Sequence, residues 1–245
     1  MERITANAVL PARRDPVALR TSDGLNLVAE LALPEGGDPV GCIVCVHPLP
    51  THGGMMDSHL FRKAAWRLPA LAGIAVMRFN TRGTSSTAGT SDGQFDAASA
   101  EGLDLLAAVE YVQARQLPNI WLVGWSFGTD VVLRHGLLQP VVGAILLSPP
   151  LRYSQDSDLQ RWDRDGRPLV VMVPEFDDFL PPDLATDHFG EVSQAQLLPV
   201  PGAKHLWVGE KYTSIVLDQI TSSVTGRPTN LPSEWDGPMS KWSDL

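Results

Sequence analysis

Short apolar runs alternate with longer helical patterns along most of this chain. The apolar runs predict strands at Gly41–Val46, Ile74–Phe79, Ile120–Val123, Val141–Leu147, Leu169–Val173 and Ala195–Val200. The stretches between them predict helices at Ser58–Leu71, Ala98–Ala114, Phe127–Leu138, Pro182–Phe189 and Trp207–Ser222. Runs that are apolar on both faces are typical of central parallel strands covered by helices. The pattern therefore predicts an α/β domain built on a mostly parallel, doubly wound sheet of about eight strands with right-handed crossovers.

An antiparallel hairpin is predicted ahead of this alternation. Val17–Thr21 and Leu25–Leu33 alternate apolar and polar positions, and a Ser-Asp-Gly turn joins them. Later in the chain, Leu151–Arg167 is polar and far shorter than an inserted cap domain would need. The sequence therefore predicts an α/β domain without a substantial cap.

The C-terminal stretch differs from the rest of the chain. We assign residues 1–225 to the α/β domain and 226–245 to a tail that is polar apart from Trp235 and Trp242. One interpretation is a tail packed on the domain surface and anchored by its two indoles. The other is a docking or dimerisation arm.

The composition narrows the range of partners. The 245 residues carry a formal net charge of −9 at pH 7, which argues against nucleic acid or an anionic membrane surface as a partner. No apolar run approaches the roughly 20 residues needed to cross a bilayer, and the N-terminus MERITANAVLPARRDP lacks the apolar region of a secretory signal. We therefore expect a cytoplasmic protein that acts on a small molecule, and the sequence leaves a monomer or a homodimer open.

The two cysteines, Cys42 and Cys45, have the C-x-x-C spacing of a redox pair. They lie, however, within a predicted strand, where residues an odd number apart point to opposite faces of the sheet. We therefore expect two buried thiols that do not meet, as in a protein of a reducing compartment.

The pentapeptide GWSFG, Gly124 to Gly128, fits the pattern G-x-S-x-G where a predicted strand becomes a predicted helix. Such a turn strains the serine backbone and brings strand and helix so close that the residues two before and two after the serine must be small. It also exposes the Ser126 hydroxyl and directs the Phe127 N–H and the positive end of the helix toward it. We predict that Ser126 is a nucleophile; the alternative is a glycine-rich turn without chemistry.

A serine nucleophile needs a base, and in this architecture the base lies downstream in a loop after a later strand. His135 lies within the helix that starts at Ser126, and His188 lies late in a short amphipathic helix. His205 lies between the last predicted strand and the last predicted helix. We therefore predict His205 as the base.

The acid that orients this base is expected after the strand at Leu169–Val173. Glu175, Asp177 and Asp178 follow that strand, and spacing from its end does not separate Asp177 from Asp178. Two adjacent acids would repel each other if both faced inward, so one is expected to turn to solvent. For each of them the alternative is a loop or capping acid ahead of the next helix.

A second donor for an oxyanion is expected in the loop after the strand at Gly41–Val46. That loop begins HPLP, and because proline has no N–H, Leu49 is the available donor between the two prolines. With Phe127, Leu49 would form the oxyanion hole. His47, His52 and Trp125 neighbour these groups and are predicted to contact substrate; for His47 the alternative is a bond to the backbone that fixes the loop.

These motifs together resemble the α/β-hydrolase superfamily, and within it a group of small bacterial hydrolases with an H-P-x-P oxyanion turn. The resemblance covers most of residues 20–222 and rests on GWSFG, the HPLP turn with its following Gly-Gly, MRFNTRG, EFDDFLPP and GAKHLWVG. It implies an α/β-hydrolase fold and a catalytic triad. The acid of this family typically stands four positions before a proline, and Asp177 with Pro181 fits that pattern, so the resemblance selects Asp177 over Asp178.

Two departures from the family pattern concern the shape of the substrate more than the triad. Pro174 and Glu175 stand where a glycine is common, and the loop Thr84–Gly93 is unusually rich in Ser, Thr and Gly. A serine at the nucleophile position argues against the dehalogenase and epoxide-hydrolase branches of the superfamily.

Other kinds of site receive less support. His47, His52, Asp57 and His59 have side chains suited to zinc, but they belong to the oxyanion turn and to the start of the next helix, so we expect no metal. No G-x-G-x-x-G follows the first strand and no P-loop pattern is present, so we expect no cofactor. The arginines of MRFNTRG would either bind a substrate carboxylate or, as the resemblance implies, pair with acids that fix their loop.

The sequence thus predicts a serine hydrolase that cleaves a carboxylic ester or a related acyl substrate through Ser126, His205 and Asp177. A thioesterase or an exopeptidase on the same triad is the alternative within this fold. An alternative of another class is a non-catalytic binding protein whose partner surface includes Trp235 and Trp242. A binding protein, however, has no need of a serine, an acid and a histidine in three separate loops.

Overall fold

The computed structural model describes residues 1–244 and is built on one eight-stranded sheet. We label the strands of this sheet in chain order, β1 Arg13–Arg20, β2 Asn26–Leu33, β3 Gly41–Val46, β4 Ile74–Phe79, β5 Ile120–Trp125, β6 Gly143–Leu147, β7 Leu169–Phe176 and β8 Ala195–Lys204. Their spatial order is β8-β7-β6-β5-β3-β4-β2-β1. The β1–β2 and β2–β4 pairs are antiparallel, and the remaining pairs are parallel. The predicted doubly wound sheet with its N-terminal hairpin is confirmed.

Helices cover both faces of this sheet. In chain order they are α1 His59–Ala72, α2 Glu101–Ala114, α3 Phe127–His135, α4 Asp156–Asp165, α5 Pro182–Phe189 and α6 Glu210–Thr225. No helix within residues 1–244 is long and apolar enough to cross a membrane.

The sheet separates two apolar clusters, and the two cysteines of β3 lie in different ones. Cys42 packs in the cluster under α2 and α3, whereas Cys45 packs in the cluster under α1 and α6. Both thiols are buried and free. The prediction that they point to opposite faces is confirmed, and burial raises the pKa of each thiol, so both are kept as uncharged core groups.

Helix α4 lies in the stretch Leu151–Arg167, for which only a short polar connection was predicted. Its only buried residues are Leu159 and Trp162, one turn apart, and the Trp162 indole donates a hydrogen bond to the Leu133 carbonyl of α3. A capping box between Gln155 and Asp158 begins the helix. Three turns packed flat against α3 do not form a lid, so the expectation of no substantial cap is confirmed.

The C-terminal stretch lies along the N-terminal residues. Glu234–Trp235 pairs with Glu2–Arg3, and Ser240–Lys241 pairs with Ala8–Val9, both antiparallel. The Trp242 ring lies 6.3 Å from the ring of Trp66 on α1. Up to residue 244 the two ends of the chain therefore form a shared surface layer; residue 245 lies outside the described residues, and the predicted boundary at residue 225 stays a prediction.

The end of β4 and the segment that follows it are fixed by ion pairs of two buried arginines. Arg78 binds Glu30 at 2.5 Å and Asp57 at 2.8 Å, and Arg82 binds the fully buried Asp104 at 2.8 Å. Both guanidinium groups are therefore paired with carboxylates of the chain itself. This arrangement favours the loop-fixing interpretation of MRFNTRG over a substrate-binding one.

Candidate active site

The turn between β5 and α3 places Ser126 at the carboxyl end of the sheet. Its backbone has φ 52° and ψ −120°, a region that L-residues rarely occupy. The strain is held by hydrogen bonds on both sides, because the Ser126 N–H donates to the Leu147 carbonyl at 2.9 Å and the Thr129 N–H donates to the Ser126 carbonyl at 2.8 Å. A strained backbone that its surroundings enforce is typical of functional sites.

Two glycines make this turn sterically feasible. A Cβ on Gly128 would lie 1.9 Å from the Val46 carbonyl oxygen of β3, and a Cβ on Gly124 would lie 2.6 Å from the Gly128 carbonyl oxygen. Both distances are well below any van der Waals contact. The close approach of α3 to β3 and β5 therefore requires glycine at both positions, as the G-x-S-x-G pattern predicts.

A continuous chain of hydrogen bonds joins Ser126, His205 and Asp177. The Ser126 Oγ lies 2.8 Å from His205 Nε2, and His205 Nδ1 lies 2.9 Å from Asp177 Oδ2. Asp177 follows from the end of β7 and His205 follows β8, so three separate strand ends converge. Asp177 and His205 are both buried, whereas Asp178 is exposed.

The surroundings of Asp177 keep it ionised. Burial opposes its charge, but the hydrogen bonds from the His205 ring and from the Phe179 and Leu180 N–H groups outweigh burial and hold the pKa of Asp177 below its usual value. An ionised acceptor at Nδ1 fixes the neutral His205 as the tautomer with its proton on Nδ1. His205 Nε2 is then free to accept the Ser126 hydroxyl proton.

Three side chains from other elements hold the backbone of the His205 loop. The His205 carbonyl accepts hydrogen bonds from the Trp125 indole at 3.2 Å and from the Ser148 hydroxyl at 3.1 Å. The next carbonyl, of Leu206, lies 2.7 Å from His59 Nε2. The ring of Phe179 lies against the imidazole itself, with 4.6 Å between ring centroids. The His205 ring and its loop are therefore held by four side chains from other parts of the chain.

Two residues that share a cavity with Ser126 have backbone N–H groups without an acceptor within the described part of the chain. One is Phe127, the first residue of α3, and the other is Leu49, which precedes a short 3-10 turn at Pro50–His52. Both residues line the cavity that contains Ser126. Free backbone donors and the positive end of a helix are suited to stabilise an oxygen that gains negative charge in such a cavity.

Comparison with known proteins identifies the architecture. No family model matches the sequence, and no curated protein matches it. Solved structures do match it. An α/β serine hydrolase homologue from Coxiella burnetii superimposes with a TM-score of 0.69 at 22% identity, over 86% of this chain and 96% of that one. A serine hydrolase without a lid from Xanthomonas campestris has a TM-score of 0.66 at 26% identity, over 89% and 94%. The fold is that of the α/β-hydrolase superfamily.

A third solved structure shares the fold at a lower sequence identity. An esterase from Pyrococcus furiosus superimposes with a TM-score of 0.70 at only 14% identity, over 89% of this chain and 92% of that one. The expected α/β-hydrolase fold is therefore confirmed, and what the individual residues of this chain do is a separate question.

Two residues predicted to contact substrate are buried elsewhere in this α/β-hydrolase fold. His47 is fully buried, its Nδ1 lies 2.7 Å from the Pro48 carbonyl oxygen, and its Nε2 accepts the Thr81 N–H at 3.1 Å. Burial lowers the pKa of His47 to about 4, so the ring stays neutral and ties the oxyanion turn to the segment after β4. Trp125 is also buried, and its indole supports the His205 loop rather than a substrate. For both residues these contacts favour a structural role, which for His47 is the alternative named from the sequence.

The remaining side chains considered as metal ligands point to different partners. His52 is exposed and its Nδ1 lies 3.0 Å from the Thr51 hydroxyl, Asp57 pairs with Arg78, and His59 bonds to the Leu206 carbonyl. Substrate contact by His52 stays a prediction. No cluster of three or more potential ligands occurs among residues 1–244.

The cavity beside Ser126 is small, about 40 Å³. Besides Ser126 its walls are formed by Leu49, Phe127, Asp130, Pro150, Arg152, Tyr153 and Phe179. Pockets for drug-sized ligands span roughly 300–1,000 Å³, so this one accommodates only a group of a few atoms.

Asp130 is an unforeseen member of this wall, one helical turn after Ser126. Its Oδ1 accepts hydrogen bonds from the Tyr153 N–H, the Ser154 N–H and the Ser154 hydroxyl, which fastens the loop after β6 to α3. Its Oδ2 is buried without a partner among the described residues. Burial raises the pKa of Asp130 in spite of these bonds. No sequence pattern marked this residue, because its role depends on a loop that is distant along the chain.

Proposed function

We propose that this protein is a serine hydrolase that cleaves a carboxylic ester or a related acyl substrate through a covalent acyl-enzyme. The observation that carries the proposal is the hydrogen-bond chain from Ser126 through His205 to Asp177, which ends in a cavity with two unengaged N–H donors. A glycine-rich turn without chemistry, or a binding protein that kept the fold, would not need this combination. Among the structural neighbours, the protein from Pyrococcus furiosus is described as an esterase and that from Xanthomonas campestris as a serine hydrolase, which supports the proposed class.

The first half of the proposed reaction forms the acyl-enzyme. The Ser126 Oγ attacks the carbonyl carbon as its proton passes to His205 Nε2, and the Leu49 and Phe127 N–H groups stabilise the oxyanion. Asp177 stabilises the imidazolium that forms. His205 Nε2 then donates this proton to the leaving oxygen, the C–O bond of the ester breaks, and the alcohol departs.

The second half releases the acid. A water molecule gives a proton to His205 Nε2 and attacks the acyl carbon, through a second oxyanion held by the same two N–H groups. The bond to Ser126 Oγ then breaks, and His205 returns the proton to the serine. The enzyme is restored without a cofactor.

A fluorophosphonate probe tests this proposal, because it reacts covalently with activated serines. We expect stoichiometric labelling of the wild type, loss of labelling in Ser126→Ala, and full labelling in Ser157→Ala, which removes an exposed hydroxyl on α4. Absence of labelling in a folded wild type would refute the hydrolase proposal. A panel of ester, thioester and aminoacyl-anilide substrates of equal acyl size then identifies the bond that is cleaved.

We also propose that the protein acts in the cytoplasm. Cys42 and Cys45 are both free, and neither is placed to pair with the other, which suits a reducing compartment.

A further inference from the structure

Exposed apolar side chains cluster on the two segments that supply the triad acid and base. Phe176 and Phe179 flank the acid, with 56% and 57% of their surface exposed. Leu206 and Val208 follow the base, with 54% and 71% exposed. Apolar side chains that are exposed next to one another, rather than singly, are typical of a binding surface. We call these four side chains the apolar rim.

Two cavities of different size adjoin the triad. The one that contains Ser126 and both oxyanion donors measures about 40 Å³. The other, of about 370 Å³, is lined by His205, Leu206, Val208 and Tyr212, together with Asp178, Gly202 and Lys204. Phe179 lines the small cavity and packs against the ring of His205, which lines the larger one, so these two side chains connect the walls of both cavities.

The chemistry of the proposed reaction decides which part of an ester enters which cavity. The acyl carbon must bond to Ser126 Oγ while its oxygen lies at the Leu49 and Phe127 N–H groups, and both of these residues line the small cavity, so the acyl chain is expected to lie there. The leaving oxygen must receive its proton from His205 Nε2. The alcohol part therefore lies along the His205 loop, where the larger cavity and the apolar rim are found.

We infer that the substrate is an ester of a small, acetyl-sized acyl group with a larger apolar alcohol, and that Leu206 and Val208 bind the alcohol chain. This inference rests on the proposed hydrolase function. Lys204 and Asp178 carry opposite charges at the same groove, so neither sign of charge on the alcohol is favoured. The apolar side chains are what distinguishes the groove.

Three esters test the inference on the wild-type enzyme: ethyl acetate, hexyl acetate and ethyl hexanoate. The last two are isomers that carry their extra four methylene groups on opposite sides of the ester bond. We expect kcat/KM for hexyl acetate to exceed that for ethyl acetate by roughly tenfold, since the chain is partly buried in an open groove. Ethyl hexanoate should be the poorest of the three, because its acyl chain exceeds the small cavity.

The double variant Leu206→Asn, Val208→Thr tests the residues themselves with side chains of similar size. We expect the ratio of kcat/KM for hexyl acetate to that for ethyl acetate to fall at least fivefold, toward unity. Val142→Thr is the matched control, because Val142 is exposed beside the amino end of β6, the opposite edge of the sheet from Ser126. Its ratio should equal that of the wild type.

The possible outcomes distinguish failure of this inference from failure of the proposed hydrolase function. An active wild type that prefers ethyl hexanoate to hexyl acetate, or a double variant with an unchanged ratio, overturns the inference and leaves the hydrolase proposal standing. A wild type that neither hydrolyses any of the three esters nor reacts with the fluorophosphonate probe refutes the proposed function, and the inference falls with it.

Discussion

Asp177 and Asp178 are adjacent in the chain, yet their surroundings give them different chemistry. Asp177 is buried and accepts hydrogen bonds from the His205 ring and from two backbone N–H groups, whereas Asp178 is exposed. The carboxylate of Asp177 therefore faces the imidazole, and that of the next residue faces solvent. The spacing of the acids along the chain could not decide between them, but the D-x-x-x-P pattern and the structure agree on Asp177.

A pair of matched variants checks this assignment. We expect Asp177→Asn to lower kcat for a p-nitrophenyl ester by about 10³- to 10⁴-fold, because an amide no longer selects the His205 tautomer that accepts the serine proton. Asp178→Asn, the control, should retain kcat within about twofold, since an exposed carboxylate outside the triad contributes little. Equal losses in both variants would contradict the assignment.

His47 should make the protein sensitive to mild acid. Its pKa falls from 6.5 to about 4 on folding because the ring is fully buried, so the unfolded chain binds the proton more readily than the folded one between these values. The stability that its neutral form provides is present above pH 6.5 and is lost as the pH falls toward 4. This difference corresponds to a decrease of about 3 kcal/mol in the free energy of unfolding.

Urea unfolding at pH 7 and at pH 4.5 measures this effect. We expect His47→Asn to be less stable than the wild type at pH 7 but to lose less stability on acidification. His188→Asn removes an exposed histidine and should keep the pH dependence of the wild type. If both variants track the wild type across this range, His47 is not the group responsible.

At the scale of elements, the strand–turn–helix unit around Ser126 depends on close backbone contact. Helix α3 passes so near β3 that a single methyl group at position 128 has no room. This contact keeps Ser126 in its strained conformation and holds Phe127, the first residue of α3, at the wall of the cavity beside Ser126. Geometry that an active site needs is therefore maintained by the packing of elements rather than by the serine itself.

Gly128→Ala tests that contact. We expect the free energy of unfolding to fall by roughly 3 kcal/mol or more, because the new Cβ would overlap the Val46 carbonyl and α3 would have to move. Gly36→Ala is the control, since a Cβ there meets nothing within 4 Å and the backbone has an ordinary φ. Urea midpoints compare the two, and a stable Gly128→Ala protein would show that α3 is free to move away.

The sequence predicts some elements well and others poorly for physical reasons. Strands β3 and β4 match their predicted bounds because both of their faces are buried, which leaves an unbroken apolar run. Helix α4 escaped prediction because only Leu159 and Trp162 are buried on an otherwise polar surface. Helix α6 begins three residues later than its apolar pattern suggests, because Trp207 lies buried in the preceding loop with φ 53°.

Within the candidate site, too, some features could be predicted from the sequence and others could not. Ser126, Asp177 and His205 lie in strand-end loops, and local pattern together with topology was sufficient to place them there. The support of the His205 loop by His59 and Ser148, and the burial of His47, depend on contacts between loops that are far apart in the chain. A single sequence without aligned relatives does not show which distant loops meet, so it could name a loop-fixing bond for His47 only as an alternative and gave no sign of the contact between Trp125 and the His205 loop.

At the scale of the whole molecule, the two ends of the chain stabilise each other. Short antiparallel pairings join residues 2–3 to 234–235 and 8–9 to 240–241. The Arg62 guanidinium lies between two indoles, 5.0 Å from the Trp66 ring and 4.7 Å from the Trp242 ring. This layer covers α1 and does not contribute to the walls of the cavity beside Ser126, which come from residues 49 to 179.

Trp242→Ala measures what this layer contributes. We expect the free energy of unfolding to fall by about 1 kcal/mol, through loss of the cation–π contact and of ring packing. The kcat/KM for p-nitrophenyl acetate should stay within twofold of the wild type, because the layer lies apart from the triad. A large loss of activity without loss of stability would instead assign the tail a part in catalysis.

The backbone and the side chain of Leu206 have separate roles. Its carbonyl oxygen is held by His59, and this bond needs no particular side chain at position 206. Its side chain meanwhile faces solvent at the groove where the alcohol is inferred to lie. A mutation at position 206 would change the side chain that faces the inferred alcohol. The hydrogen bond from His59 would be kept, because every amino acid has a backbone carbonyl oxygen. During evolution, the side chain at position 206 can therefore change, and with it the alcohol that is bound, while the backbone bond that holds the His205 loop is kept.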